Sequence, residues 1–290
     1  MAKEAPELFV TEHETRMEQT FQREGSDLLR TCRSKDPSNK SQVKIYVAGS
    51  GEAKQRPSRG ADIPYMNAGR TSVLLDIEAS FAGDPVDWED LESMEIDDIQ
   101  AIADTSALAI GRKIDDVIIS ELDTGAANHV GDYSATMSPD LALQAKQKAL
   151  SLHWPKRRGS WYCLLDSTSW NHMLTYDVFN NADYTGDTPF ANPSYVRDWD
   201  GIIWMHNEAL LVPATDQVTN LMYYGPAVAA AGAVAPTAFD WLGGQQQQWS
   251  VMAKARHGAK LSQAAAAIQI RCSTAGGYGG TSGKMQHPTS

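Results

Sequence analysis

The chain has 290 residues, a formal net charge of −11, and 42% hydrophobic and 21% charged residues, a composition typical of globular proteins. No apolar run approaches the roughly 20 residues that span a bilayer, and the N-terminus has no apolar signal core, so we expect neither a membrane segment nor secretion. Three scattered cysteines indicate no disulfide framework and no structural zinc site. An acidic chain is not expected to grip nucleic acid over its whole surface.

Residues 1–42 are polar with few apolar positions, and we interpret them as an N-terminal arm that lies on another part of an assembly. Within the arm, the apolar spacing predicts a weak amphipathic helix over about 12–30, and the composition of 33–41 predicts a loop. Two predicted strands, 43–47 and 71–79, are separated by about 20 residues rich in Gly, Pro and charge. A polar loop of that length is unusual inside a compact domain. The pattern therefore predicts an extended β-hairpin over 43–80 that reaches a partner.

The strongest predicted element is a helix over 95–124, with Gly125 as its stop. Its apolar positions share one face at helical spacing: Ile99, Ala103, Ile110, Ile114 and Val117. About 28 residues at ~1.5 Å each would make a rod of about 42 Å. Helices of globular proteins average about 11–12 residues, so the pattern predicts an unusually long spine.

Short elements follow in mixed order along the rest of the chain. They are a helix over 141–152 after a start at Ser138-Pro139-Asp140, a strand over 161–165, a short helix over 166–179, strands over 201–205 and 209–212, a small-residue helix or tightly packed segment over 226–235, strands over 249–256 and 266–271, and a Gly-rich tail over 275–290. This order predicts the α+β class rather than regular βαβ winding.

Charge is unevenly distributed along the chain. Residues 71–111 carry 11 acidic residues and no Lys or Arg, and a basic patch precedes them. The simpler interpretation is a solvated acidic surface. The alternative is that acid and base meet across a subunit boundary, because crowded carboxylates repel one another and nearby cations relieve that cost. The alternative predicts these inter-subunit contact residues: Lys54, Arg56, Arg59, Arg70, Asp84, Asp87, Glu89 and Asp90.

No motif predicts a catalytic, cofactor or metal site. The sequence lacks a phosphate-loop spacing, a dinucleotide fingerprint, a nucleophile elbow and a zinc-protease motif. Asp166, Ser167 and His172 lie close in sequence, which leaves a cytoplasmic hydrolase as an alternative. A helix cap at Asp166 or Ser167 is the simpler explanation. We therefore predict no catalytic residues, no cofactor and no metal.

Four tracts carry a resemblance. The long helix contains Ala-Ile-Gly-Arg-Lys-Ile-Asp-Asp at 109–116, the hairpin contains Arg-Gly-Ala-Asp-Ile-Pro-Tyr-Met at 59–66, and the later tracts are 196–213 and 254–260. Together with the order of elements, they resemble the major capsid proteins of tailed bacteriophages, which have the Hong-Kong-97-type shell fold. The resemblance covers roughly residues 40–272.

The resemblance implies an α+β capsid fold with an arm, an extended hairpin loop, a spine helix, and peripheral and axial domains. The implied division is an N-terminal arm over 1–42, the extended hairpin over 43–80, the peripheral domain with the spine helix over 81–127, the axial domain over 128–240, the return strands of the peripheral domain over 241–274, and the tail over 275–290. In this division the arm would clasp adjacent subunits, the hairpin would lie over a neighbour, and the inner tips of the axial domain would meet around the pentamer and hexamer axes.

The implied function is a shell subunit that assembles as homo-pentamers and homo-hexamers into the icosahedral head around a double-stranded DNA genome. Implied partners are a portal and a scaffolding protein, a decoration or cement protein, and packaged DNA in weak nonspecific contact. The subunit would assemble in the bacterial host cytoplasm and reside in the virion capsid. An encapsulin-type bacterial compartment with the same fold remains the alternative, and the arm and Gly-rich tail favour the phage protein.

Overall fold

The structure is a computed structural model of the whole chain. It describes residues 27–37, 41–87, 98–157, 159–180, 195–210, 212, 214, 216–242 and 248–275. Most of the predicted arm helix over 12–30 and nearly all of the tail lie outside these ranges. Residues Leu29–Thr31 form a single 3₁₀ turn.

The predicted spine is confirmed as helix α1, Asp98–Gly125. Buried isoleucines and a leucine recur every four residues, at Ile110, Ile114, Ile118 and Leu122, which makes one apolar stripe along the helix. Asp115 lies inside this stripe and is only 2% exposed. The stripe packs α1 against both of the larger sheets, so the helix is the common support of the fold.

The predicted hairpin is confirmed by strands β2, Gln42–Ala48, and β3, Arg70–Asp76, which pair antiparallel. Ile45 and Leu75 are buried on one face of the hairpin, where they pack against Ala229 and Ala231. The predicted strand over 71–79 is wrong at its end. The chain leaves the hairpin after Asp76, and strand β4, Glu78–Asp87, joins a different sheet.

A four-stranded sheet lies beside α1 in the order β1-β10-β11-β4. Its other members are β1, Arg33–Lys35, β10, Val228–Leu242, and β11, Gln248–Leu261. The predicted loop over 33–41 is therefore wrong at its start, because residues 33–35 pair in parallel with β10. The predicted strand over 249–256 is confirmed and is longer than expected.

The helix alternative for 226–235 is wrong, although the expected tight packing is present. A 3₁₀ turn, Gly225–Ala227, precedes β10. Ala230 faces the main core, whereas Ala229 and Ala231 face the hairpin. A strand covered on both faces reads as a continuous small-residue run, and periodicity alone does not separate such a run from a helix.

A six-stranded mixed sheet forms the rest of the body, in the order β5-β12-β9-β6-β8-β7. Its strands are β5, Asn128–Val130, β6, Trp161–Leu165, β7, Val196–Trp199, β8, Ile202–His206, β9, Gln217–Tyr224, and β12, Ala267–Ser273. The predicted strand over 209–212 is wrong: the Asn207 side-chain oxygen accepts the Ala209 N–H at 2.8 Å and closes a turn there. The strand that follows is β9, which the pattern did not predict.

Three shorter helices cover this sheet and its ends: α2, Pro139–Ser151, α3, Ser167–Leu174, and α4, Asp177–Asn180. The predicted start of α2 is confirmed, since the Ser138 hydroxyl accepts the Leu141 N–H at 3.3 Å and Pro139 is the first helical residue. The single helix predicted over 166–179 is two helices, separated at Thr175 and Tyr176.

Sheet membership does not follow the expected domain boundaries. Strand β10, placed in the axial domain up to residue 240, pairs with β11 and β1. Strand β12, placed among the peripheral return strands, pairs with β9 and β5 in the six-stranded sheet. Strand pairing is a tertiary property that strand positions along the chain do not encode. The division into peripheral and axial domains stays a prediction.

Candidate inter-subunit surfaces

The predicted basic patch lies on the hairpin. Lys54, Arg56 and Arg59 are exposed in the connection over 49–69, and Arg70 is exposed at the start of β3. The Arg56 Nε donates a hydrogen bond to the Ala61 carbonyl at 2.6 Å, which folds the connection back on itself. The three other cations are exposed to solvent.

The hairpin also presents large apolar side chains to solvent. Ile63, Tyr65 and Met66 in the connection are 71%, 79% and 53% exposed. On the hairpin face opposite Ile45, Tyr46 and Leu74 are exposed as well. Single exposed apolar residues are ordinary, but several large ones within one hairpin indicate an interaction surface.

The acidic half of the prediction lies on a separate element. Asp84 is exposed on β4, Asp87 is the last residue of that strand, and Glu89 and Asp90 lie outside the described residues. Strand β4 is an edge strand of the four-stranded sheet. In the described part of the chain, no ion pair joins Asp84 to the basic patch of the same subunit.

The outer face of this sheet, opposite to the side of β4 on which Asp84 lies, is partly apolar, a feature that the sequence analysis missed. Phe81 is 62% exposed and Met252 is also exposed on the outer face of β4 and β11. The Lys254 ammonium lies 5.3 Å from the centre of the Phe81 ring. The signal in the sequence was the alternation Ala79-Phe81-Gly83, which places Phe81 opposite to the buried side of β4. The hairpin covers one end of this sheet face and leaves the other end open.

The residues of the hydrolase alternative are used for local structure. The Asp166 carboxylate accepts the Thr168 N–H at 3.0 Å, which makes it the N-cap of α3. The Ser167 hydroxyl lies 2.9 Å from the His206 Nε2 rather than beside His172. Within the described ranges there is no group of three or more His, Cys, Asp or Glu side chains that could hold a metal ion. No described helix is both long and apolar enough to cross a membrane.

The arrangement of these elements identifies the fold of the protein. A long spine helix, a projecting two-stranded hairpin, a long-stranded sheet beside the spine and a mixed sheet beyond it make up the Hong-Kong-97-type shell fold. Solved structures confirm this. The chain is similar to the capsid protein of cyanophage P-SCSP1u, with a TM-score of 0.72 at 12% identity over 92% of this chain and 93% of that one.

Two further capsids have the same fold. The chain is similar to the capsid of Ralstonia phage GP4, with a TM-score of 0.72 at 10% identity over 94% of this chain and 97% of that one. It is also similar to the head structure of Helicobacter pylori bacteriophage KHP40, with a TM-score of 0.71 at 13% identity over 93% and 97%. No curated protein sequence matches the chain significantly.

A family model described as phage capsid protein matches residues 5–274, nearly the whole chain. The chain belongs to this phage capsid protein family. Its role is structural, as a major capsid protein of the phage head shell. The encapsulin alternative is not favoured, because the matching family and the similar structures are those of phage capsids.

Proposed function

We propose that the subunit assembles as pentamers and hexamers into a closed icosahedral head around the double-stranded DNA of a tailed phage. The proposal is carried by the hairpin: it projects from the body and exposes Ile63, Tyr65 and Met66, for which its own subunit provides no cover among the described residues. Burial of apolar surface is worth about 25 cal/mol per Å². A second copy that covers these side chains would therefore stabilise a contact repeated throughout a shell.

The surface that receives the hairpin is proposed to be the open end of the four-stranded sheet on a neighbouring subunit. The hairpin combines apolar side chains with basic ones, and strands β4 and β11 expose Phe81 and Met252 on one face, while Asp84 is exposed on the other face of the edge strand β4. An apolar sheet face and an acidic edge strand would thus be available to the apolar and the basic groups of the hairpin. Single exposed ion pairs contribute only about 0–1 kcal/mol, so apolar burial would supply affinity while charge fixes orientation.

Light scattering and negative-stain microscopy of the protein expressed alone test the proposal directly. We expect closed shells, or pentamers and hexamers that close when a scaffolding protein is added. A 31.7 kDa monomer that stays unassembled under crowding and with added scaffold would contradict it. Shell formation without scaffold would in addition show that the implied scaffolding partner is dispensable.

Other partners follow from the same proposal. A portal would occupy one vertex, and a decoration or cement protein would bind the outer surface. Contact with packaged DNA would be weak and nonspecific, because a chain of net charge −11 neutralises few phosphates. Assembly would take place in the bacterial host cytoplasm. Gel electrophoresis of purified heads would show the portal and any decoration protein as additional bands of fixed stoichiometry.

A further inference from the structure

The later part of the N-terminal arm, residues 27–35, is held in place at its start by a buried carboxylate of the spine helix. The Asp115 carboxylate, on α1, accepts the backbone N–H groups of Asp27 and Leu28, each at 3.3 Å. These two N–H groups lie at the start of the 3₁₀ turn Leu29–Thr31. The first N–H groups of a helical turn have no acceptor within the turn itself. Asp115 therefore caps this turn from a helix 87 and 88 residues further along the chain.

The burial of Asp115 indicates that this contact is built into the fold. A carboxylate that is 2% exposed is costly unless hydrogen bonds compensate its lost hydration. Bonds from backbone N–H groups to a charged carboxylate are about twice as strong as bonds between neutral groups. The side chain of Leu28 is fully buried in the main core beside α1, so the capped turn is also held by apolar packing.

Two other elements hold the same segment. The Thr31 hydroxyl lies 2.6 Å from the hydroxyl of Tyr223, a fully buried residue of β9. Residues Arg33, Ser34 and Lys35 then pair with β10. The segment is thus fixed by the helix and by one strand of each large sheet.

A glycine makes room for this approach. A Cβ atom on Gly225 would lie 2.3 Å from the Thr31 carbonyl oxygen, far inside van der Waals contact. Only a residue without a side chain lets the segment lie this close to the turn between β9 and β10.

We infer that Asp115 is a positioning residue that fixes where the rest of the N-terminal arm, before residue 27, leaves the subunit. Residues before 27 would then start from one defined place beside α1 in every copy. This gives the arm a common origin in the different positions of a shell. The anchoring itself is a property of the single subunit and does not depend on the proposed assembly.

Limited trypsin digestion of the full-length protein tests the inference, with all variants first brought to the same assembly state by size-exclusion chromatography. The bond after Arg30 is informative because the Arg30 side chain is exposed while the Thr31 N–H is bonded within the turn, to the Leu28 carbonyl at 3.0 Å. The bond after Arg59, in the exposed hairpin connection, is the internal reference. Mass spectrometry gives the ratio of the two cleavage rates.

Asp115→Ala is expected to raise the ratio of cleavage after Arg30 to cleavage after Arg59 by about tenfold to a hundredfold, because loss of bonds to a charged group increases local opening. Asp115→Asn should give a smaller increase, since the amide oxygen still accepts an N–H. Asp116→Asn, at the exposed neighbouring position, is the matched control and should leave the ratio at the wild-type value. A ratio unchanged in both Asp115 variants would overturn the inference.

Thr31→Val loosens the segment from the opposite side without touching α1. It keeps the side-chain shape and removes the hydroxyl bonds to the Leu28 carbonyl and Tyr223. If Asp115→Ala does not fold, a raised ratio in Asp115→Asn and Thr31→Val supports the anchor. Equal acceleration at both bonds in these variants, with loss of circular dichroism, would instead assign Asp115 a purely structural role and overturn the inference.

Discussion

His257 is a buried titratable side chain between the spine helix and the four-stranded sheet. It is 1% exposed, its Nε2 lies 2.7 Å from the Ser80 hydroxyl, and within the described residues its Nδ1 has no hydrogen-bond partner. Burial lowers the pKa of His257 below its ordinary value of 6.5, the positive charge of Lys113 lowers it further, and Glu78 opposes the shift. The neutral form therefore belongs to the folded state.

The sign of the pH dependence follows from that shift. Below pH about 6.5 the unfolded chain binds a proton at this position before the folded chain does, so the free energy of unfolding falls as the pH is lowered through this range. At higher pH, His257 contributes no pH dependence to the free energy of unfolding. Urea unfolding of the unassembled subunit between pH 8 and 5 should show the loss, and His257→Gln should flatten it.

His129 provides the control, because it is exposed on β5. His129→Gln should leave the pH profile of unfolding unchanged. A His257→Gln profile as steep as that of the wild type would mean that other groups cause the acid sensitivity.

At the scale of elements, the close approach of the hairpin to the body depends on Gly258 in β11. A Cβ atom there would lie 2.1 Å from the Asp76 carbonyl oxygen at the end of β3. We expect Gly258→Ala to displace the hairpin base and to lower the free energy of unfolding by about 1–3 kcal/mol, as overpacking typically does. Urea unfolding measures this, and faster hydrogen exchange across β2 and β3 would locate the effect.

Gly69 is the matched comparison for this substitution. It lies in the hairpin connection, and a Cβ atom there would meet nothing within 4 Å. Gly69→Ala should change the stability by no more than about 0.5 kcal/mol. Equal effects of the two alanines would show that the approach at Gly258 is not a tight one.

The elements also differ in how far the sequence alone predicts them. Helix α1 and the β2–β3 hairpin follow from local periodicity, because each has one buried and one exposed face. Strand β10 does not, since it is buried on both sides and its alanines carry no alternation. Strand β1 is equally hard to predict from the sequence, because its three polar residues form a strand only by pairing with β10.

At the scale of the whole molecule, the separated charges make a test of assembly. The variant Arg56→Glu with Arg59→Glu should fold normally and fail to form shells, because the hairpin would then repel the acidic strand β4 of its neighbour. Circular dichroism checks folding, and electron microscopy checks assembly. Normal shells from this double variant would contradict the proposal that the basic hairpin is attracted to the acidic strand of a neighbouring subunit.

A charge exchange sharpens this test. Adding Asp84→Lys and Asp87→Lys to the double variant restores opposite signs on the two surfaces, so partial recovery of shells is expected. The acidic-side pair alone should assemble as poorly as the basic-side pair. Because Arg56 also bonds the Ala61 carbonyl, Lys54→Glu with Arg59→Glu separates charge from the shape of the connection.

The sequence by itself determined the α+β class, the long spine and the reaching hairpin, since local periodicity and turn composition are written in consecutive residues. It also supported the capsid resemblance through short tracts such as 109–116. The tertiary structure alone decided that Asp115 faces the backbone of Asp27 and Leu28, that Phe81 and Met252 form one open patch, and that β10 and β12 exchange the sheets expected for them. Each of these depends on contacts between residues far apart in sequence, which no local pattern encodes.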